Sequence, residues 1–293
     1  MKRALLIIVA ILVLPSLACT ITLPTPPQLT TGPTQTFTVS EALPGDATAD
    51  KPVKVEVRMG AGELSLQGGA DGLAEGEIEY NVPEWKPTVT NSDGKLIIEQ
   101  GPGQDHNLSW FPGKNNDIVN NWDLKLGSAP MDLSVSAGAY QGTLDLSGLH
   151  LRNLAISDGA ADTEVTFDEA NPEVLDKFTY TTGASSVRLS GLGYANFKDL
   201  TFKGGAGDYK LNFDGELQQD ATVEISAGMS SIRIEIPSGM NAKVVISGGM
   251  KSVSTEGTWT AHNDSYETGA DAKYTLTITV DIGLGSLTLV NGK

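Results

Sequence analysis

The chain carries few groups able to make or break bonds, and the most informative is its single cysteine, Cys19. It follows Pro15-Ser16-Leu17-Ala18, at the end of an apolar run from Ala4 to Leu14 that is preceded by Lys2 and Arg3. A positive start, an apolar stretch and a small residue before the junction mark a secretory signal. Eleven helical residues rise only about 16 Å, roughly half the hydrocarbon core of a bilayer, so the run is expected to be cleaved and not to span. Cys19 in this place fits a lipobox, in which the thiol receives diacylglycerol and becomes the mature N-terminus. Ser16-Leu17-Ala18 also fits an ordinary small-x-small cleavage site. A free exposed thiol on a secreted protein is reactive, which favours lipidation at Cys19. Loss of residues 1–18 removes Lys2 and Arg3 and takes the net charge from −16 to −18.

Carboxylates come next. Asp158, Asp162, Glu164, Asp168 and Glu169 are close in sequence, and stacked rungs could bring Asp132 or Asp145 beside them. Two carboxylates about 5–9 Å apart are what glycoside hydrolysis requires. The acids alternate with Thr, Ser and Lys, however, as on a solvated strand face. Gly204-Gly205-Ala206-Gly207-Asp208 approaches a calcium-binding nonapeptide, with the Asp one position early and no repetition of the unit. His106, His150 and His262 are far apart and have no cysteine near them, so no zinc site is indicated. No phosphate-cradling loop and no nucleophile elbow occur. No catalytic residue, metal site or cofactor is therefore assigned. Trp85, Trp110 and Trp122 could stack on a sugar, or could plug one end of the fold as an apolar cap.

These residues need elements to hold them, and the pattern of the chain supplies those elements. Thr20 to Thr36 holds seven Thr and four Pro without a charge, a composition that favours extended chain and suits a tether. From Val53 onward apolar residues alternate with polar ones, as in Tyr209, Leu211 and Phe213 or Leu276, Ile278, Val280 and Ile282. Period two between Gly-rich turns is the signal of half-buried strands. The only helix-like piece is Asn171–Lys177, one or two turns long. A Gly-centred corner recurs at Gly60, Gly138, Gly159, Gly183, Gly205, Gly228, Gly249 and Gly283. Intervals from Gly138 to Gly249 are 21, 24, 22, 23 and 21 residues, and the last, to Gly283, is 34. A held period in the low twenties means stacked repeats, with the long interval read as one period plus an insertion. An antiparallel sandwich also suits short strands with regular turns, but small-residue corners at fixed period favour a solenoid. The 33 glycines and the 6% aromatic content agree with tight corners.

The fold expected is all-β: a β-solenoid-like stack of short, mostly parallel strands in rungs of about 22 residues, closed by an irregular N-terminal cap. Its divisions are a signal peptide over 1–18, a lipidated Cys and Thr/Pro-rich linker over 19–52, a cap region over 53–130 and the Gly-punctuated repeats over 131–293.

Gly60-Ala61-Gly62-Glu63-Leu64, Tyr80-Asn81 followed by Trp85-Lys86-Pro87, Asn121-Trp122-Asp123-Leu124 and Thr182-Gly183-Ala184-Ser185-Ser186 carry a resemblance. Across residues 53–293 the sequence resembles the bacterial toast-rack family, which adjoins LiaF-like and adhesin-like proteins with similar Gly-punctuated β-repeats. The resemblance implies a β-repeat domain displayed outside the cytoplasm, with no catalytic residues to transfer; LiaF-like relatives are linked to envelope-stress sensing. The function expected is non-enzymatic: a lipid-anchored, extracytoplasmic envelope protein that binds, scaffolds or senses. Its partners would be the membrane, through the N-terminal lipid, and an envelope protein or glycan. A glycan-binding adhesin-like module is the alternative, and a polysaccharide-active β-helix enzyme a distant one. The acidic balance argues against nucleic acid.

Overall fold

The computed structural model describes residues 30–45, 47–101 and 118–292. Fifteen strands among them form one sheet system. Eight are the rungs: β2 (Val53–Gly68), β7 (Met131–Asp145), β8 (Leu151–Thr166), β9 (Leu175–Ser190), β10 (Phe197–Asn212), β11 (Ala221–Ile236), β12 (Asn241–Glu256) and β15 (Thr275–Asn291). Neighbouring rungs are parallel and in register along nearly their whole length.

The two short strands expected of each rung run on as a single strand bent at the Gly corner. The bend is a slip of phase. In β11, Val223, Ile225 and Ala227 face inward and Thr222, Glu224 and Ser226 outward; then Gly228 and Met229 both face outward, and Ser230, Ile232 and Ile234 resume the interior. Two successive outward residues turn the strand so that both halves of a rung enclose one core. Inward positions stack across rungs into ladders, such as Val57, Val135, Ile156, Tyr180, Phe202, Ile225, Val280 and Ile246. Each such side chain is at most 4% exposed, and burying one fully is worth about 1.5–3 kcal/mol.

The corner glycines stack as well. A Cβ on any of Gly138, Gly159, Gly183, Gly205, Gly228, Gly283 or Gly249 would come within 2.8 Å of the carbonyl oxygen of the corner glycine on the adjoining rung. None of these seven has positive φ. Close approach of backbones fixes glycine there, while positive φ applies two residues on, at Gly62, Gly207 and Gly285.

At the opposite turns a ladder of side-chain amides links the rungs. Asn171 Nδ2 donates to Leu151 O at 2.8 Å, Asn196 Nδ2 to Glu173 O at 2.8 Å, and Gln219 Nε2 to Asn196 O at 3.0 Å. Asn171–Lys177 is thus no helix. Its asparagine bonds across rungs, and β9 already begins at Leu175.

The cap is more regular than expected. The second half of β2 pairs with β6 (Asn120–Leu126), which pairs with β3 (Ala74–Tyr80), which pairs with β1 (Gln35–Glu41). The first half of β2 pairs instead with β5 (Lys95–Glu99), and β5 with β4 (Thr88–Ser92). Gln35–Glu41 therefore belongs to the folded domain, not to the linker assigned over 19–52. Only Phe37 and Val39 give β1 its apolar phase.

The far end departs further. β15 lies between β11 and β12, so the order is β11, β15, β12, then β14 (Ser265–Glu267) and β13 (Thr260–His262). The 34-residue interval is a detour: the chain builds β12, adds the hairpin outside it, and returns to fill the slot it left open.

Candidate functional site

The first corner lacks a full rung on its outer side, so its backbone needs other partners. Gln100 Oε1 accepts from Gly60 N at 2.9 Å, and Asn120 Nδ2 donates to Ala61 O. Asn120 Nδ2 also donates to Gln100 Oε1 at 2.9 Å, and Trp122 Nε1 donates to Asn120 Oδ1 at 3.0 Å. The motif residues around Gly60 and Trp122 thus form a plug over the first corner. Trp85 and Trp122 are only 4% and 2% exposed, so their ring faces pack inside the cap and form no open platform for a sugar. Trp110 and Cys19 lie outside the described residues.

The carboxylates considered above are dispersed. Asp158 points into the core, whereas Asp162 and Glu164 on the same strand point out, because the phase slips between them at Gly159 and Ala160. Asp162 pairs with Arg188 at 3.2 Å, and Asp132 accepts from Asn153 at 2.7 Å. Among the described residues no group of three His, Cys, Asp or Glu is placed to hold a metal.

Asp158 instead anchors a polar cluster inside the middle rungs. Tyr180 Oη donates to its Oδ2 at 2.8 Å, Thr182 Oγ1 donates to Oδ1, and Ser185 Oγ approaches Oδ1 at 3.3 Å. Burial raises the Asp158 carboxyl above its usual range, although the hydroxyls of Thr182, Tyr180 and Ser185 pull it down. Tyr140, Tyr180 and Tyr209 are all held up as acids, mainly by burial, and the charge of Asp158 adds to this. Tyr140 Oη, Thr163 Oγ1, Tyr209 Oη and Ser230 Oγ are buried without a closed hydrogen bond among the described residues. The cluster holds a single carboxyl with hydroxyls around it, not the pair of carboxyls that glycoside hydrolysis requires. Sequence reasoning placed Asp158 with the surface acids. The signal it missed was phase: Asp158 shares a register position with Ala137 and Thr182.

A second buried carboxylate has the opposite character. Glu235 is 4% exposed. Burial would raise it, but Arg233 at 2.8 Å, Asn212 at 3.0 Å and Lys210 at 3.1 Å together hold it down to about 2.

On the outer face of the cap a cleft of about 710 Å³ is lined by Glu63, Glu75, Glu77, Glu79, Asp123 and Lys125. Glu77 and Asp123 are direct cross-strand partners, a like-charge pairing that costs stability.

The description "N-terminal domain of toast_rack, DUF2154" matches residues 30–177, just over half of the sequence. The chain belongs to the toast_rack family. The match begins ahead of β1 and ends in β9, so it takes in the whole plugged cap and the first rungs of this toast_rack protein. Among solved structures, a "putative cell adhesion protein" from Clostridium sporogenes is similar at 17% identity and TM-score 0.48, covering 88% of this chain and 100% of that one. A "putative adhesin" from Bacteroides fragilis is similar at 11% identity and TM-score 0.31, covering 87% and 95%. A "putative lipid binding protein" from Parabacteroides distasonis is similar at 11% identity and TM-score 0.34, covering 89% and 98%. No curated protein matches.

Proposed function

We propose that this toast_rack protein is a non-enzymatic envelope protein, anchored outside the cytoplasm by lipid on Cys19, that displays its stacked sheet as a binding or scaffolding surface. One observation carries the reading: the chain enters the fold through β1, the outermost strand of the cap. A tether from Cys19 through the Thr/Pro-rich segment would therefore hold the cap toward the membrane. The rungs would then extend away by about 34 Å, from eight rungs at roughly 4.8 Å spacing. Acyl chains bind a membrane without electrostatic help, at about 0.8 kcal/mol per buried methylene, which suits a domain of net charge −18. Intact mass of the protein from membranes tests the anchor. A mature N-terminus at Cys19 carrying acyl mass is expected; Cys19 without that mass, or Cys19→Ala protein that stays with the membrane, would sink the proposal.

A further inference from the structure

The rung made last is not last in space. β15 pairs along its whole length with β11 on one side and β12 on the other. Among the described residues, β12 has only β14 on its far side, and β13 pairs only with β14. The sheet pairing of β12, β13 and β14 thus reaches the rest of the stack, among the described residues, through β15 alone. Without β15, inward rows of β11 (Val223, Ile225, Ile232, Ile234) and of β12 (Val244, Ile246) would lose their neighbour.

Two properties make β15 separable. Its 17 residues carry one charge, Asp281, so transfer between copies of a chain with net charge −16 meets little repulsion in the strand itself. The connection from β14, residues 268–274, crosses β12 from its outer to its inner side, about 10 Å at usual strand spacing. Seven residues reach about 23 Å, and Gly269 supplies a positive φ of 67° within them. The empty slot would accept a parallel strand that is apolar at alternate positions and slips phase once, as β15 does at Gly283-Leu284.

We infer that β15 is an exchangeable strand, and that two copies of the chain trade it, the β15 of each filling the β11–β12 slot of the other. Exchange of an identical element adds a hinge rearrangement and no new interface chemistry. The chain's own β15 competes through the short connection at a high effective concentration, so exchange is slow and rises with protein concentration.

Ser231 and Ser286 are register partners on β11 and β15, with hydroxyl oxygens 3.4 Å apart. The full chain with Cys19→Ala, Ser231→Cys and Ser286→Cys is prepared in ordinary and isotopically heavy forms. The two are mixed reduced, incubated over a range of concentrations and then oxidised. The expected result is a 231–286 disulfide joining a heavy to a light chain, with a yield that rises several-fold with concentration. A 231–286 link found only within single chains at every concentration would overturn the inference. Should that pair impair folding, Glu224→Cys with Thr279→Cys, also register partners, gives the same readout. Removing three residues from the connection should raise the exchanged fraction several-fold; an unchanged fraction counts against exchange.

Discussion

Gly159 lies so close against Gly138 that a methyl group on Gly159 would meet the Gly138 carbonyl oxygen at 2.6 Å. The same contact is made down the stack, and no flexible side chain is there to yield. Gly183→Ala is therefore expected to cost about 1–3 kcal/mol, the usual range for overpacking. Gly45→Ala, with open space around it, should stay within about 0.5 kcal/mol. Urea denaturation of the two variants makes the comparison, and equal stabilities would remove close approach as the reason for the glycine column.

Asp158 and Glu235 should answer acid in opposite directions. The Asp158 carboxyl is raised in the folded state, so its contribution is fullest below the ordinary value near 3.8 and is lost as pH rises through the folded value. Asp158→Asn keeps one acceptor oxygen and turns the other into an amide donor, to which the Tyr180 or Thr182 hydroxyl oxygen can serve as acceptor. The variant should equal or exceed the parent in stability at pH 7, and the parent should gain on it as pH falls toward 4. Denaturation at a series of pH values reads the difference. A parent that loses ground on acidification would contradict the buried placement.

Glu235 is held down to about 2 against an ordinary 4.5. Its contribution is present above 4.5 and fades as pH falls toward 2. Glu235→Gln is expected to cost on the order of 2 kcal/mol at pH 7, allowing for the partial exposure of Arg233 and Lys210. That cost should shrink steadily below pH 4.5. A cost independent of pH would mean that shape, not charge, matters at this position.

Gln100→Ala removes the acceptor for Gly60 N and a partner of Asn120. Gly60 is exposed, so water can replace part of what is lost, and the cost should be about 0.5–1.5 kcal/mol and local. Hydrogen exchange is expected to quicken at Gly60 and Ala61 and to stay unchanged at Gly205. Uniform acceleration at both corners would argue against a separate plug.

How far the sequence led depended on whether a feature was local. The corner column was legible because each rung repeats the same steric demand at Gly138, Gly159, Gly183 and Gly205. The ladders were legible from alternation. Asp158 was not, since its direction follows from counting phase back from the slip at Gly159, and an acid among Ser, Asp and Glu resembles a surface residue. The place of β15 was hidden for a different reason. Leu276 to Leu289 reads like any other rung, and its place between β11 and β12 is a long-range pairing that no local pattern states. β1 was passed over because two apolar residues among Thr, Ser and Gln are a faint pattern. Of the two readings left open for the aromatics, Trp85 and Trp122 take the cap; the local sequence could not choose, because Trp122 is covered on β6 by a pairing with β3 that it does not state.

The double outward step at each corner has one more consequence. At the corners of β9, β10, β11 and β15 the residue after the glycine, Ala184, Ala206, Met229 or Leu284, points to solvent, with Met229 and Leu284 63% and 44% exposed. Adjacent rungs set these side chains side by side, along a rail separate from the interior. Mutation can rewrite the chemistry of that rail rung by rung, from methyl to thioether to branched chain, while the core it rides on is left as it was.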